Sequence, residues 1–269
     1  MISGQSVFVE PGTLLAKGES RNCLSAADPQ KSVGAQISII VPVFNERALI
    51  RLFLNHLRER APEAEVVVVD GGSSDGTAQL AAGFCDQLVE SGRGRARQMN
   101  TGARAARGEI LWFVHVDANL PLQCLDEVGR IMDDPKVVGG YFRIRLPPGL
   151  VYRLTDGLAH YTGIVLRMRC GDHGIFCRRA AFLNIGGFPD VPLMEDVEFF
   201  RQLHRNGRVR YSEQRILVNP RRYESVGRVR LTLAYGVIAT LYIFGVPLSI
   251  LTSIYNRICR DRFSAPRAG

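Results

Sequence analysis

Cysteine is sparse and scattered: Cys23, Cys85, Cys124, Cys170, Cys177 and Cys259 form no CxxC pair and no cluster with histidine at zinc spacing. A structural zinc site and a disulfide scaffold are therefore excluded as the basis of the fold; 269 residues can bury a sizeable core, and reduced thiols are expected. There is one tryptophan and no nucleic-acid recognition motif, which removes the usual reason to assign basic residues to DNA or RNA. The dinucleotide fingerprint is incomplete as well. Gly92-x-Gly94 is followed by Arg97 where a third glycine would stand, and no βαβ start precedes it, which argues against a Rossmann dehydrogenase. The first residues show no basic start, apolar run and small-residue cleavage site, so no signal peptide is expected.

Positive charge is in excess. Thirty-four Lys plus Arg face 26 Asp plus Glu, a formal charge of +8, which points to anionic partners such as phosphates or a lipid surface. The mean hydropathy of +0.01 is high for a chain with 22% charged residues. One stretch explains it: Leu231 to Tyr255 carries no charge at all.

Along the chain, residues 1–36 mix Gly, Ser, Pro, Lys and Asp without periodicity and read as a mobile or loosely attached extension. The run ISIIVPV at 37–43 reads as a strand buried on both faces. A helix-period stretch through Leu49, Leu52, Phe53 and Leu57 follows, and then a second apolar run at 66–69. Strand, helix, strand implies a parallel βαβ unit. The alternation continues with helices at 76–83 and 95–106, strands at 87–89 and 109–116, a Pro121-started helix at 121–132 and a strand at 138–146. A helix near 151–165, a strand at 174–179 and helices near 179–185 and 195–206 complete it. The fold class is α/β, a mostly parallel sheet flanked by helices, in which ligands bind beyond the carboxyl ends of the strands.

Those strand ends hold polar clusters. Asn45-Glu46 follows the first strand and DGGSSDGT, residues 70–77, the second, where Asp70 can accept hydrogen bonds from a base or ribose and Gly72 and Ser73 allow close backbone approach. Arg93, Arg95 and Arg97 open a helix in an acid-free segment suited to a diphosphate, with Arg104 and Arg107 on its solvated side. His115-x-Asp117 follows the fourth strand, where a carboxylate can meet a divalent cation bridging phosphate oxygens. CGDHGIF at 170–176 contributes Asp172, and Glu195-Asp196 opens an amphipathic helix from which a carboxylate can act as general base.

Taken in order, SIIVPVFNE, VVVVDGGSSDGTA, EILWFVHVDANLP, GDHGIF and MEDVEFFRQLHRNG resemble a family 2 glycosyltransferase with the GT-A nucleotide-diphospho-sugar fold, over roughly residues 37–220. Through GRGRARQMN and the HxD form, the chain looks most like a bacterial branch named for association with radical-SAM and selenium-domain proteins, some members of which are called carotenoid glycosyltransferases. The resemblance implies a UDP- or GDP-sugar donor bound by Pro42, Asn45, Glu46, Asp70, Gly72, Ser73, Arg93, Arg97, Gln98, His115 and Asp172. It also implies Mg²⁺ or Mn²⁺ on Asp117, the last acid of the family's DxD, and catalysis by Asp196 with Glu195 beside it. His115 replaces the first DxD acid; a neutral imidazole is a softer ligand and adds no negative charge, so metal binding is expected either to be weaker or to be carried mainly by Asp117. Gln202 and Arg205 echo a motif of processive relatives, but Asn206 stands where its tryptophan would be. A nucleotidyltransferase or a catalytically silent nucleotide-sugar-binding protein are the competing readings.

The organisation expected is an extension at 1–36, a transferase domain at 37–225 and an apolar helical segment at 226–269. Gly245-Val246-Pro247 interrupts the apolar stretch and arginines flank it on both sides, which suits an interfacial helix or hairpin better than a span or a helix of a core or homodimer. The expected location is the cytoplasmic face of the cell membrane, peripheral or tail-anchored, with the cytoplasm as the alternative.

Overall fold

The computed structural model describes residues 36–259 apart from 166 and 170. The extension expected at 1–36 lies outside the described residues, save Gln36.

One eight-stranded sheet organises the chain in the order β3-β2-β1-β4-β7-β6-β8-β5. Its parallel half is β1 (Ile37–Val43), β2 (Glu65–Asp70), β3 (Gln87–Glu90) and β4 (Ile110–Phe113), joined through α1 (Ile50–Arg60), α2 (Thr77–Ala81) and α3 (Arg95–Ala105). The chain then passes through β5 (Ala118–Asn119), α4 (Cys124–Met132), β6 (Val137–Arg145) and α5 (Leu150–Val165). β7 (Phe176–Arg178), α6 (Arg179–Ile185), α7 (Glu195–Asn206) and β8 (Arg208–Val218) follow. β7 runs antiparallel to both β4 and β6, so β6 and its parallel neighbour β8 point the same way as β1, β2 and β4. Six strands therefore deliver their carboxyl ends to one edge.

The β-branched runs foreseen as two-sided strands are buried throughout at Ile39–Val41 and Val66–Val69. One face packs on α1 and α4 through Phe53, Leu54, Val128 and Ile131, the other on α3, α6 and α7 through Met99, Phe182 and Phe199. Gly102 lets α3 lie directly on the sheet, because a Cβ there would come within 2.5 Å of Ile40 and 2.8 Å of Val69. Pro42 is tolerated in a central strand for a local reason. Ile40 O accepts Val114 N and Val43 O accepts Gly71 N, so even residues of β1 face β4, and Pro42 lies beyond its last paired residue, Ile40.

Three boundaries differ from expectation. The strand expected at 109–116 leaves the ladder after Phe113 because the chain turns, His115 O accepting Ala118 N. Pro121 does not start α4: it sits in a turn whose carbonyl accepts Cys124 N, and the helix begins there. The helix at 76–83 is shorter, Thr77–Ala81, because Gly76 is left-handed at its start.

Beyond β8, α8 (Arg221–Val226) leads into α9 (Arg228–Ile243) and α10 (Leu248–Cys259). The apolar stretch is thus two helices, broken at Phe244–Pro247 around a left-handed Gly245. Among the described residues, no helix is long and apolar enough to cross a membrane.

Candidate active site

The carboxyl ends of β1 and β2 are tied together by their own polar residues. Asn45, held at φ 54°, donates its backbone N–H to Ser73 Oγ and accepts Ser74 N on its side-chain oxygen. Glu46 N donates to Thr77 Oγ1, and Arg47 N to Asp75 Oδ2. Asp70 is buried; its Oδ2 accepts Gly72 N at 3.0 Å and Ser73 N at 2.8 Å, while its Oδ1 has no hydrogen-bond partner. An unsatisfied buried carboxylate oxygen is costly unless something donates to it, and a nucleobase N–H or a ribose hydroxyl has the right chemistry. Gly72, at φ 88°, has open space where a side chain would be.

Gln98 is placed differently from the expectation that it binds nucleotide. Its side chain is buried and its amide nitrogen donates to Val43 O at 2.7 Å and Val69 O at 2.9 Å, the last rungs of β1 and β2. It fixes the strand ends that carry Asn45 and Asp70, and its donors are committed to that task.

The arginines at the start of α3 divide. Arg93 lies over the Phe44 ring at 4.3 Å, and Arg97 pairs with Asp190 at 2.9 Å. Arg95, which sequence reasoning named only as one arginine of the segment, reaches Glu195 Oε1 at 3.6 Å and Asp196 Oδ2 at 3.9 Å. The three arginines, with Asp190 and Glu195, rim a cavity of about 400 Å³ between the α3 start and the loop 190–195. Glu195 and Asp196 are both buried, and Met194 just before them is left-handed at φ 68° without being glycine, a conformation that persists only where surroundings impose it.

His115 and Asp117 stand at the turn after β4. Burial, with the charge of Arg95 added, pushes the His115 imidazole down to about 4 against an opposing pull from Asp172, so the ring is neutral at pH 7. Burial also holds the Asp117 carboxyl above its ordinary range, helped by Asp172 and Glu46 and opposed by Arg221. Arg221, at the start of α8, pairs with Glu46 at 3.5 Å. It was not foreseen because β8, which delivers it, was not; with its mixed polar and apolar residues, RVRYSEQRILV gives no clean alternation.

Among the described residues, no three His, Cys, Asp or Glu side chains form a ready-made metal cage. The donor set still suits a divalent cation. The negative charges of Asp172 and Glu46 act on Asp117, and a hard cation held by one or two carboxylates completes its shell with water and substrate phosphate.

The Glycosyl transferase family 2 model matches residues 38–186. Glycosyltransferase AglE of Haloferax volcanii is 33% identical over 170 residues, 57% of this chain and 56% of that protein. The chain spans about three fifths of the length of the first curated relatives it matches. Among solved structures, a mannosyltransferase from Pyrobaculum calidifontis in complex with GDP-Man and Mn²⁺ superposes with a TM-score of 0.60 at 22% identity, covering 83% of this chain and 69% of that one. TarS of Staphylococcus aureus in complex with UDP-GlcNAc gives 0.54 at 19%, covering 84% and 74%. Likeness at these identities carries the fold.

Proposed function

We propose, from the premise that the chain belongs to glycosyl transferase family 2, that it moves a sugar from a UDP- or GDP-sugar to an acceptor hydroxyl with inversion at the anomeric carbon. The observation that supports this most is the position of Arg95. It pairs with Glu195 and Asp196 and its charge reaches the His115 imidazole, which supports reading the acids of α7 and the Asp117 turn as one site.

In that space Asp70 receives the base or ribose, and Arg93 and Arg95 meet the diphosphate. Asp196 takes the proton of the acceptor hydroxyl while its oxygen bonds to the anomeric carbon and the bond to the diphosphate oxygen breaks, leaving its electron pair on the nucleotide. Glu195 and Asp196 share Arg95, which orients the carboxylates before the acceptor arrives. When bound, Mg²⁺ or Mn²⁺ neutralises charge on the departing diphosphate, and Asp117, with Asp172 and His115 beside it, would hold it. The apolar C-terminal helices support an amphiphilic acceptor, a lipid or carotenoid, at the cytoplasmic membrane surface.

The test is release of UDP or GDP from a panel of sugar nucleotides with Mn²⁺ or Mg²⁺ present. Asp196→Asn and Asp117→Asn are each expected to reduce release at least about 100-fold with unchanged unfolding midpoints. Full activity in Asp196→Asn removes it as the base. Donor binding with no release of nucleotide from any donor favours a silent sugar-nucleotide-binding protein.

A further inference from the structure

From Leu231 to Ile243 helix α9 carries no charged residue. Leu231, Ala234 and Ile238 are buried against the body of the protein, yet the opposite stripe is Val229, Leu233 and Val237, all exposed, with Leu233 at 63%. A surface helix in water normally turns a polar face outwards, so an exposed apolar stripe one residue in four marks a face that is covered in use. α5 extends it. Tyr152 and Thr155 face inwards, Thr155 Oγ1 meeting Thr232 of α9 at 2.9 Å, while Leu150 and Leu154 stand exposed one turn apart, Leu154 at 65%.

The charges around this face select its cover. Exposed arginines border it at Arg153, Arg222, Arg228 and Arg257; Arg228 pairs with the exposed Glu224 at 4.0 Å, and beyond that acid residues 226–258 contain none, so positive charge is in excess. A second copy seated there would bring arginine against arginine. Anionic lipid headgroups complement the rim, and the acyl boundary takes the apolar stripe.

We infer that the outer face of α5 and α9 lies on an anionic membrane surface. The inference rests on the membrane-side part of the proposed function, to which it adds the docking face and the participation of α5. It does not depend on the transfer chemistry. It also gives the acceptor a direction of approach. At the C-terminal end of α9, the Tyr242 hydroxyl donates to Glu198 and accepts from Arg201 at 2.9 Å, both on α7 within two turns of Asp196. An acceptor hydroxyl carried at the lipid surface meets the catalytic helix from the side on which α9 is anchored.

The test is co-sedimentation of the purified full chain with vesicles of phosphatidylcholine alone or with about 30% phosphatidylglycerol, alongside Leu233→Glu/Val237→Glu and Leu154→Glu variants. Their exposed positions leave folding intact, checked by thermal unfolding. Wild type is expected to partition onto anionic vesicles, less so at high salt, and the double variant at least about tenfold less. Undiminished binding by both variants overturns the assignment of this face. A wild-type dimer that the double variant abolishes, without vesicle binding, makes a second copy the occupant and overturns it too. No binding to any vesicle overturns both this inference and the membrane-side reading. A thermal shift with UDP or GDP, measured on the same samples, reports separately on the donor site.

Discussion

Replacing Gln98 tests the way the strand ends are held. Its amide nitrogen donates to Val43 O and Val69 O, and solvent cannot replace it, because the side chain is buried beneath Gly71, where even an added Cβ would lie only 3.0 Å from the Gln98 amide. Val43 O keeps a second partner in Gly71 N. Gln98→Ala then removes two buried hydrogen bonds and leaves a small void, a loss of about 2–4 kcal/mol out of a typical total of about 5–15. Urea unfolding followed by circular dichroism measures it. Gln98→Glu sharpens the argument by keeping the shape while turning an acceptor on two carbonyls. The folded state must favour the protonated acid, which can still donate one hydrogen bond. Its pKa is therefore raised on folding, and the deficit of this variant should be smallest below about pH 4.3 and grow as pH rises towards the folded value. If Gln98→Ala costs less than about 0.5 kcal/mol while donor affinity falls about tenfold, Gln98 contacts the ligand and the positioning role is refuted.

Arg95→Gln is expected to raise the donor KM and lower kcat about tenfold each, and to lower the unfolding midpoint because it removes a counter-charge from the buried Glu195 and Asp196; unchanged kinetics would disconnect it from the reaction. EDTA is expected to stop nucleotide release and Mn²⁺ to restore it in wild type but not in Asp117→Asn. Tyr242→Phe, which strips the hydroxyl from Glu198 and Arg201, should cost about 1 kcal/mol and speed hydrogen exchange at the C-terminal end of α9; unchanged exchange would show that the contact does not anchor the helix. Glu65 supplies an acid limb of stability. Burial raises its pKa, but hydrogen bonds from Ser38, Arg107 N and Gln87 and the charge of Arg107 outweigh burial and hold it below the ordinary 4.5. Its contribution is present above about pH 4.5 and lost as pH falls through the folded value, so Glu65→Gln should flatten the acid limb of a stability profile.

The parts of the fold legible in the sequence are those where one residue pattern meets one environment. Strands β1 and β2, buried on both faces, appear as runs rich in β-branched residues, and α7 shows its apolar stripe through Val197, Phe199, Phe200 and Leu203. β8 was not legible. Its exposed residues outnumber its buried ones, and between Ser212 and Arg215 it bulges against the consecutive Phe142 and Arg143 of its partner, so no period survives. The site divides the same way. Asp70, Asp117, Asp172, Glu195 and Asp196 could be named because each sits at an element boundary, whereas the turn of Gln98 inwards and the reach of Arg95 across to α7 are tertiary facts that no local spacing encodes.

The same distinction settles how the excess of positive charge should be read. Arg179 donates to Ala103 O, Ala106 O and Gly108 O, closing the C-terminal end of α3, and Arg178 does likewise for Met132 O and Asp134 O behind α4. A guanidinium committed to helix-end carbonyls is structural: it satisfies acceptors the helix leaves open and is withdrawn from any ligand. Arg58 is committed in the same way, to Phe84 O, Ala64 O and Asp86. Among the arginines that still face open surface, two groups connect to α7, one at the start of α3 and one around α8 and α9. The first meets α7 through Arg95 and Glu195, and the second meets it through α9, where Tyr242 touches Glu198. A nucleotide diphosphate and a lipid headgroup are both anions, so under the proposed function a helix braced from both groups would bring a water-soluble donor and a membrane-held acceptor to one carboxylate, Asp196.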